Sequence, residues 1–322
     1  MPWIPDRPGA ACVVFVMSTS PAAAKRRRSP IRSWFGHLWR EWPIESWRPV
    51  LPAAAKPAPK TWDDSTLTAA WLGHSTVLIN LCGFNIITDP VLFPRIGIRL
   101  PGLTVGPKRL TAPALRTREL PRIDLILLSH AHFDHLDTRT LHRIRGRPHC
   151  ITAAATSDIV RCMWFRSTRE LRWGESTEVR TKAGAVRVSA FAVRHWGARL
   201  RRDYHRGYNG YIIERDGCSV IFGGDTAFTD SFAALRRRRR YDLALMSIGA
   251  YDPWIGSHAN PEQAVAMADM ANAEHVMPIH HQTFRLSAEP FREPIERFEQ
   301  ALHREPARIA LREIGETFRL TR

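Results

Sequence analysis

A run of six residues near the middle of the chain carries four side chains that could bind metal ions. His130, His132, Asp134 and His135 follow directly after the apolar run 123–128. Imidazoles and a carboxylate suit Zn²⁺, and they also bind Fe and Mn. A tetrahedral site takes about four ligands, and neighbours on one tight turn cannot all reach the same ion. The run therefore predicts a metal centre with two ions.

Three later segments repeat the arrangement of an apolar run that ends in a metal-capable residue. The runs 186–193, 219–222 and 275–279 lead into His195, into Asp225, and into the pair His280 and His281. The first run alternates like a half-buried strand. A single histidine is usually a surface or core residue, but this repetition indicates a site. Because open α/β folds build their sites where strands end, we expect these side chains to converge at the carboxyl edge of a sheet.

Several phrases of the sequence resemble the metallo-β-lactamase superfamily and, within it, the N-acylphosphatidylethanolamine phospholipase D branch with its bacterial relatives. The resemblance covers about residues 62–322. The matching phrases are WLGHST at 71–76, TDP at 88–90, GPKR at 106–109, IGAY at 248–251, HANPE at 258–262 and IHHQTF at 279–284. It implies an α+β fold, a four-layer αββα sandwich with a binuclear site between two sheets. Lactonases that open sugar-phosphate rings share the metal pattern but match the later phrases less well.

The resemblance also implies a set of metal ligands for two divalent ions, Zn²⁺ or alternatively Mn²⁺ or Fe. The ligands of one ion would be His130, His132 and His195; those of the other would be Asp134, His135 and His280; and Asp225 would bridge both. His281 is expected to be a wall residue, because the phospholipase branch has a tryptophan at that place. Asp89 follows a predicted strand at 85–88, where its carboxylate could accept the second N–H of a ligand histidine. The alternative for Asp89 is a turn aspartate before Pro90.

Two ions held in this way predict hydrolysis. A hydroxide that bridges them would be a nucleophile at neutral pH, since coordination lowers the pKa of water to about 7. We expect Asp134 to orient the hydroxide and His258, which the resemblance places beside the substrate, to assist the leaving group. The alternative for His258 is a loop histidine before a helix, which is predicted to begin with Asn260 as N-cap and Pro261 at its first position.

Other residues are candidates for contact with the substrate. The resemblance adds Tyr251, and His74 lies on a glycine-containing turn that could face the metals. Arg199 and Arg202 follow His195 within one loop, and guanidinium groups bind phosphate bidentately. The segment 92–115 is apolar but interrupted by proline and glycine. It could cover an acyl chain, or it could be a loop folded over the edge of the sandwich.

The net charge of +16 must attract anions such as acidic membranes, phosphorylated substrates or nucleic acid. Arginine supplies most of it, which can also reflect genome composition. The run Arg236–Arg240 is expected to continue a helix and to form a solvated face. Five scattered cysteines predict a reducing compartment without a disulfide framework. No apolar stretch approaches the roughly 20 residues of a membrane span. These features favour a cytoplasmic protein, peripheral at the inner membrane face.

The sequence divides into a basic tail rich in Pro, Ala and Arg, residues 1–60, and a hydrolase domain, residues 61–322. Within the tail, apolar residues at positions 31, 34, 35, 38, 39 and 42 follow helical spacing behind the basic run 25–28. A Trp-rich helix beside arginines is typical of binding to an anionic bilayer, so residues 25–42 are expected to contact a membrane surface. The alternatives are docking on the domain itself or on a second subunit, and a mobile tail.

Taken together, these patterns favour a phosphodiesterase of the phospholipase D type that acts on N-acyl phospholipid-like substrates. A lactonase or another carbonyl-ester hydrolase with the same metals is the alternative. Nucleic acid is an unfavoured substrate, because the sequence has no room for the large extra domain that RNA-cleaving relatives insert between the metal motifs.

Overall fold

Two β-sheets stacked face to face make up most of the structure, a computed structural model that describes residues 45–200, 203–236 and 240–321. The predicted helix 31–42, the basic run 25–28 and Arg202 lie outside the described residues. The strands are β1 (Leu67–Gly73), β2 (Thr76–Leu81), β3 (Phe84–Thr88), β4 (Ile98–Leu100), β5 (Leu103–Val105), β6 (Leu125–Leu128), β7 (His149–Ala153), β8 (Ser167–Leu171), β9 (Ser176–Thr181), β10 (Gly184–Phe191), β11 (Gly210–Arg215), β12 (Cys218–Phe222), β13 (Tyr241–Ser247), β14 (Ala273–Ile279) and β15 (Thr317–Arg319).

The first sheet has seven strands in the order β15-β1-β2-β3-β6-β7-β8, and the second has six in the order β14-β13-β12-β11-β10-β9. Strands β3, β6, β7 and β8 are parallel, as are β12, β13 and β14. Strand β10 is antiparallel to β11, which is antiparallel to β12, so β10 runs in the same direction as β12. Each sheet therefore sends the carboxyl ends of several strands to one edge.

The main core lies between the sheets, and β13 shows how the sequence builds it. Side chains of a strand point alternately to opposite faces. Leu243 and Leu245 pack into the cluster between the sheets, whereas Ala244 and Met246 pack into a second cluster under the helices. Because both faces are covered, β13 is buried at every position.

The α-helices that lie wholly within the described residues are α1 (Thr138–Arg143), α2 (Pro261–Met270) and α3 (Glu293–Ala301). As the sequence predicts, α2 begins at Pro261 after an Asn260 N-cap, whose side chain accepts a hydrogen bond from the Gln263 backbone N–H. Ala264 and Ala268 of α2 join the second cluster, together with Phe298 of α3. On the first sheet's side, Leu141 of α1 packs into the main core. The predicted α+β sandwich is confirmed. None of the helices in the described residues has the length and hydropathy that a bilayer crossing requires.

The segment 92–115 contains β4 and β5, which pair as a small antiparallel hairpin. One local expectation is corrected by the structure, since Arg236, the first residue of the arginine run, does not extend the preceding helix. A 3₁₀ helix, Asp230–Leu235, ends before Arg236, which leaves helical geometry at φ −56° and ψ 129°. Arg236 is the C-cap of this helix, and its backbone N–H donates to the Ala233 carbonyl.

Candidate metal centre

Five strands deliver titratable side chains to one edge of the sandwich, which we call the metal edge. The residues that follow β3, β6, β10, β12 and β14 in this way are Asp89, His130, His195, Asp225 and His280. The strands have fixed directions set by their parallel pairing, so their carboxyl ends meet here. The segment 130–135 adds His132, Asp134 and His135 from the loop after β6.

The ligand atoms at the metal edge form groups that could each hold an ion. Within every group the candidate atoms lie within 4.8 Å of one another. The groups include His130, His132 and His195; Asp134, His135 and His280 with His74; and His195, Asp225 and His258. The first two contain the two ligand sets that the sequence resemblance implies.

Asp225 lies between these groups. Its Oδ2 is 3.1 Å from Nε2 of His135, 3.1 Å from Nε2 of His280 and 3.9 Å from Nε2 of His195. Its other oxygen, Oδ1, accepts a hydrogen bond from the Ser247 hydroxyl at 3.2 Å. One carboxylate therefore faces imidazoles of both groups.

The residues present fit metal ions. Nε2 of His135, Nε2 of His280 and Oδ2 of Asp225 are buried, and none of them has a hydrogen bond of good geometry within the described residues. Buried polar atoms are nearly always partnered. Three such atoms facing one another are what a bound cation would satisfy.

Asp89 supports the ligands from behind. Its Oδ2 lies 2.6 Å from Nδ1 of His135 and accepts a hydrogen bond from the Ser129 hydroxyl at 2.5 Å. The same hydroxyl lies 2.8 Å from Nδ1 of His130. A carboxylate behind a ligand imidazole fixes its tautomer and leaves Nε2 for the ion. Sequence reasoning missed Ser129, which links Asp89 to a second histidine.

His74 faces the metal edge. Its Nε2 lies 3.0 Å from Oδ2 of Asp134, and its ring centroid is 4.1 Å from that of His280. The hydroxyl of Thr283 accepts from the His74 backbone N–H at 2.6 Å, and the His74 carbonyl accepts from the His280 N–H at 3.0 Å. His74 therefore stands among the ligands, joined by its backbone to the loop that presents His280.

His258 also lies at the metal edge, with Nδ1 3.7 Å from Oδ2 of Asp225. His281 points elsewhere, because its ring stacks on Trp71 with centroids 4.5 Å apart. Tyr251 donates its hydroxyl to Glu293 at 2.7 Å, beneath the Arg297 guanidinium. His258 is thus near the candidate ligands, whereas His281 forms part of the wall behind them.

Arg199 contacts the ligand-bearing loop, which the sequence did not suggest. Its Nη1 donates to the carbonyl oxygens of Ala131 and Leu136, at 2.8 and 2.9 Å. Its guanidinium also lies 4.0 Å above the Phe133 ring. These contacts clamp the loop that carries the 130–135 ligands, and the role of Arg199 toward a phosphate stays a prediction.

Electrostatics at the metal edge favours ionised Asp134 and Asp225 among mostly neutral imidazoles, whereas burial raises the pKa of Asp89. Burial lowers the pKa of His132 to about 3, and burial lowers the pKa of His195 to about 4. Burial opposes ionisation of Asp225, but His135 and His280 hold its pKa well below the usual range. Neutral imidazole and ionised carboxylate are the forms that bind metal.

His135 and His280 behave differently from the other imidazoles. Burial works against protonation of His280, yet Asp225 and Asp134 raise its pKa to about 9. The same carboxylates raise the pKa of His135 well above its usual value despite burial. Without a cation, protons on these two rings balance the carboxylates. A metal ion would displace those protons.

The backbone at the metal edge is held in uncommon conformations. His74, Asp89 and His280 have φ of 54°, 31° and 64°, in the left-handed region that residues other than glycine rarely adopt. Gly249 packs against the carbonyl oxygen of His280 so closely that a Cβ would collide with it. Such conformations persist where the surrounding structure fixes them, and they cluster at functional sites.

Trp196 is a neighbour that sequence reasoning missed. Its ring lies 4.4 Å from that of His195 and 4.8 Å from that of His132, and 39% of its surface is exposed. The sequence could have indicated this neighbour, because Trp196 directly follows the candidate ligand His195. Trp196 forms an aromatic rim at the metal edge.

A cavity of about 470 Å³ adjoins His280. Apolar side chains on its wall include Leu51, Leu110, Phe284 and Leu286, and Arg48 and Arg285 also line it. Leu110 belongs to the segment 92–115, which the sequence marks as a candidate cover for a substrate. The cavity thus combines an apolar wall with cationic residues beside a candidate ligand.

Comparisons with known proteins agree with this geometry. The chain is 30% identical to N-acyl-phosphatidylethanolamine-hydrolyzing phospholipase D 1 of Caenorhabditis elegans, over 79% of this chain and 74% of the relative. It is 32% identical to the mitochondrial N-acyl-phosphatidylethanolamine-hydrolyzing phospholipase D of Saccharomyces cerevisiae, over 71% of this chain and 50% of the relative. An uncharacterized protein of Mycobacterium tuberculosis is 33% identical over 82% of this chain and 72% of its own length.

Solved structures share the fold at lower identity. Igni18, a metallo hydrolase of Ignicoccus hospitalis, superimposes with a TM-score of 0.59 at 21% identity, over 80% of this chain and 99% of Igni18. An isothiocyanate hydrolase from Delia radicum gut bacteria gives 0.61 at 16% identity, over 79% of this chain and 99% of the other. The family described as the beta-lactamase superfamily domain matches residues 84–281. With its convergent His and Asp side chains, the chain belongs to that family and is a metal-dependent hydrolase.

Proposed function

We propose that the protein is a binuclear phosphodiesterase of the phospholipase D type, acting on N-acyl phospholipid-like substrates. The observation that carries the proposal is Asp225, whose Oδ2 faces imidazoles of both ligand groups at 3.1 to 3.9 Å. The relatives in Caenorhabditis elegans and Saccharomyces cerevisiae, named as phospholipases D, support the substrate class.

In the proposed site, His130, His132 and His195 would hold one ion and Asp134, His135 and His280 the other, with Asp225 as a ligand available to both. Divalent ions, Zn²⁺ in the first instance, would supply a water activated at neutral pH and would neutralise charge on the attacked phosphoryl group. The donor set of imidazoles and carboxylates suits such ions.

The chain's own side chains provide orientation and hydrogen bonds. Oδ2 of Asp134 lies 3.0 Å from Nε2 of His74, a contact that positions the carboxylate to orient the attacking water. A ring N–H of His258 stabilises the leaving oxygen. Trp196 and the buried wall limit access of bulk water to one face.

The cavity beside His280 accommodates the apolar part of the substrate. Its volume of about 470 Å³ is within the range of small-molecule sites. Leu51, Leu110, Phe284 and Leu286 offer an apolar wall, and Arg48, Arg285 and Glu289 also line the cavity. The acyl chain of a lipid matches the apolar wall.

The substrate class is tested with purified, zinc-loaded protein on an N-acyl phosphatidylethanolamine, an acyl lactone and an RNA oligonucleotide. We expect turnover of the phosphodiester lipid and, in ¹⁸O-labelled water, the label in the phosphorus-containing product. Asp134→Asn should abolish this activity, while the surface control Asp216→Asn should retain it. Faster lactone hydrolysis, or label only in the released alcohol, would overturn the assignment.

We further propose that residues 25–42 attach the protein to anionic membranes. The large apolar side chains would each contribute up to roughly 1.5–3 kcal/mol if fully buried, and each flanking arginine about 1 kcal/mol. Deleting residues 1–42, which keeps the cavity residues Arg48 and Leu51, should abolish sedimentation with anionic vesicles and leave cleavage of a short soluble phosphodiester unchanged. Equal vesicle binding by the truncated protein would refute membrane attachment, and lost soluble activity would instead indicate a helix docked on the domain.

A further inference from the structure

Two thiols from different sheets meet at the end of the sandwich opposite the ligands. Sγ of Cys82 lies 3.4 Å from Sγ of Cys218. Cys82 belongs to the turn between β2 and β3 in the first sheet, and Cys218 is the first residue of β12 in the second. We propose that these residues form a reversible disulfide that fastens the two sheets together.

The local backbone can bring the two sulfurs into bonding distance. A disulfide requires about 2.0 Å between sulfurs, so they must approach by about 1.4 Å. Cys82 and Gly83 form a tight hairpin turn with φ of 51° and 83°, and Asp216 and Gly217 form another with φ of 46° and 77°. We call this pair of turns the turn edge. Because each cysteine lies in or next to a surface turn, a small shift leaves the strand pairing intact.

Small reagents can reach this pair. Cys82 is half-buried, and a cavity of about 260 Å³ is lined by Cys218 together with Arg215, Ser219 and Tyr241. The other cysteines of the described residues serve as internal standards, since Cys150 is buried and Cys162 is exposed. Burial, followed by the contact with Cys218, raises the pKa of the Cys82 thiol.

The reaction needs an oxidant, for which a peroxide suffices. The Cys82 thiolate attacks one peroxide oxygen, the O–O bond breaks, and a sulfenic acid forms with release of hydroxide. The Cys218 sulfur then attacks the sulfenic sulfur. The S–S bond forms, the S–O bond breaks, and the hydroxyl leaves as water with the thiol proton. A dithiol reductant reverses the change by thiol–disulfide exchange.

The position of the bond predicts what it does. The cysteines are 136 residues apart in sequence, so a cross-link would constrain a long loop of the unfolded chain. Five residues of β3 separate Cys82 and Gly83 from Asp89, a distance of roughly 17 Å along the strand. The disulfide should therefore raise thermal stability and leave metal content unchanged.

The test treats the reduced, full-length protein with hydrogen peroxide, blocks remaining thiols by alkylation, and maps peptides by mass spectrometry. We expect a linked peptide pair containing Cys82 and Cys218, lost on treatment with dithiothreitol. Cys162→Ser should retain the cross-link, while Cys82→Ser and Cys218→Ser should each abolish it. Should either serine variant fail to fold, the map of the wild-type protein decides the question alone.

Thermal unfolding gives a second readout. Oxidised wild-type protein should melt roughly 5 °C or more above the reduced form, and Cys82→Ser should show no such shift. Alkylation of both Cys82 and Cys218 after peroxide treatment would overturn the proposal. So would linkage of either residue to another cysteine, or a cross-linked protein with an unchanged melting temperature.

Discussion

Strands β3 and β12 run from the turn edge to the metal edge, and their two ends differ in how they treat buried polar groups. At the turn edge, the buried carboxylate of Asp242 accepts hydrogen bonds from the backbone N–H and hydroxyl of Ser219, at 2.7 and 3.2 Å. At the metal edge, Oδ2 of Asp225 has no such partner among the described residues. Folding alone satisfies the first carboxylate, whereas the second requires a ligand.

The backbones of the two edges differ as well. Left-handed residues at the turn edge serve two tight hairpins, where such conformations match the twist of the flanking strands. At the metal edge, Asp89 and His280 adopt left-handed φ in connections that are not hairpins, whereas His74 lies in the tight turn between the paired strands β1 and β2. The same strands thus carry polar groups that stabilise the fold at the turn edge and candidate metal ligands at the metal edge. Carboxylate substitutions at the two ends should therefore have separable effects.

The largest expected effect comes from Asp225→Ala. Losing a residue that only supports a metal ligand lowers metal affinity by up to about 100-fold. Because Asp225 is proposed to be a ligand itself, removing its carboxylate should lower metal affinity by more than about 100-fold and abolish hydrolysis. Metal content after dialysis and turnover of a phosphodiester report the result. Asp242→Asn, a buried carboxylate at the turn edge, should keep its metal and lose thermal stability instead. Equal metal content in both variants would contradict the comparison.

A smaller loss is expected for Asp89→Asn. The amide cannot replace the charge beside Nδ1 of His135, so metal affinity should fall about 10- to 100-fold while the fold is kept. Competition with a chromophoric chelator measures the affinity, and circular dichroism checks the fold. An affinity within twofold of the wild type would show that Asp89 is only a turn aspartate.

Metal affinity should also depend on pH. His280 has a pKa of about 9 in the metal-free protein, raised by Asp225 and Asp134 against the effect of burial. Because the raised pKa means that a proton competes with the ion below pH 9, affinity should increase as pH rises from about 6.5 to 9. For the metal-free protein the sign is opposite: stability from protonated His280 is complete below the unfolded pKa and is lost as pH rises through 9. Affinity that is flat between pH 6.5 and 9 would contradict this account.

The smallest effect is expected for His281→Phe. The ring of His281 stacks on Trp71 and lies outside the ligand groups, and phenylalanine preserves the stacking. Metal content and turnover should stay within about twofold of the wild type, whereas His280→Phe should lose both. Loss of one ion in His281→Phe would show that His281 is the metal ligand and that His280 is the wall residue.

The convergence of the ligands could be predicted from the sequence, because apolar runs mark strands and strand direction fixes where the next residue lies. Asp89 was predictable for the same reason, since it ends β3. The role of Arg199 was not, because its acceptors are backbone carbonyls of Ala131 and Leu136, which become available only through the conformation of the loop.

Contacts between the sheets were also beyond the sequence. Cys82 and Cys218 lie far apart in the chain, and no local pattern sets how one sheet is placed on the other. The end of the 3₁₀ helix before Arg236 was missed because arginine is compatible with helix, and the local turn decides the boundary. The function of the tail, residues 1–60, stays a prediction.

The central claim, two ions shared by Asp225, is tested most directly by anomalous diffraction from crystals of the zinc-loaded protein, recorded on both sides of the zinc edge. We predict two anomalous peaks, one among His130, His132 and His195 and one among Asp134, His135 and His280, each about 2.0–2.2 Å from its ligand atoms. Asp225 should contact both. A single peak, or peaks away from Asp225, would contradict the account.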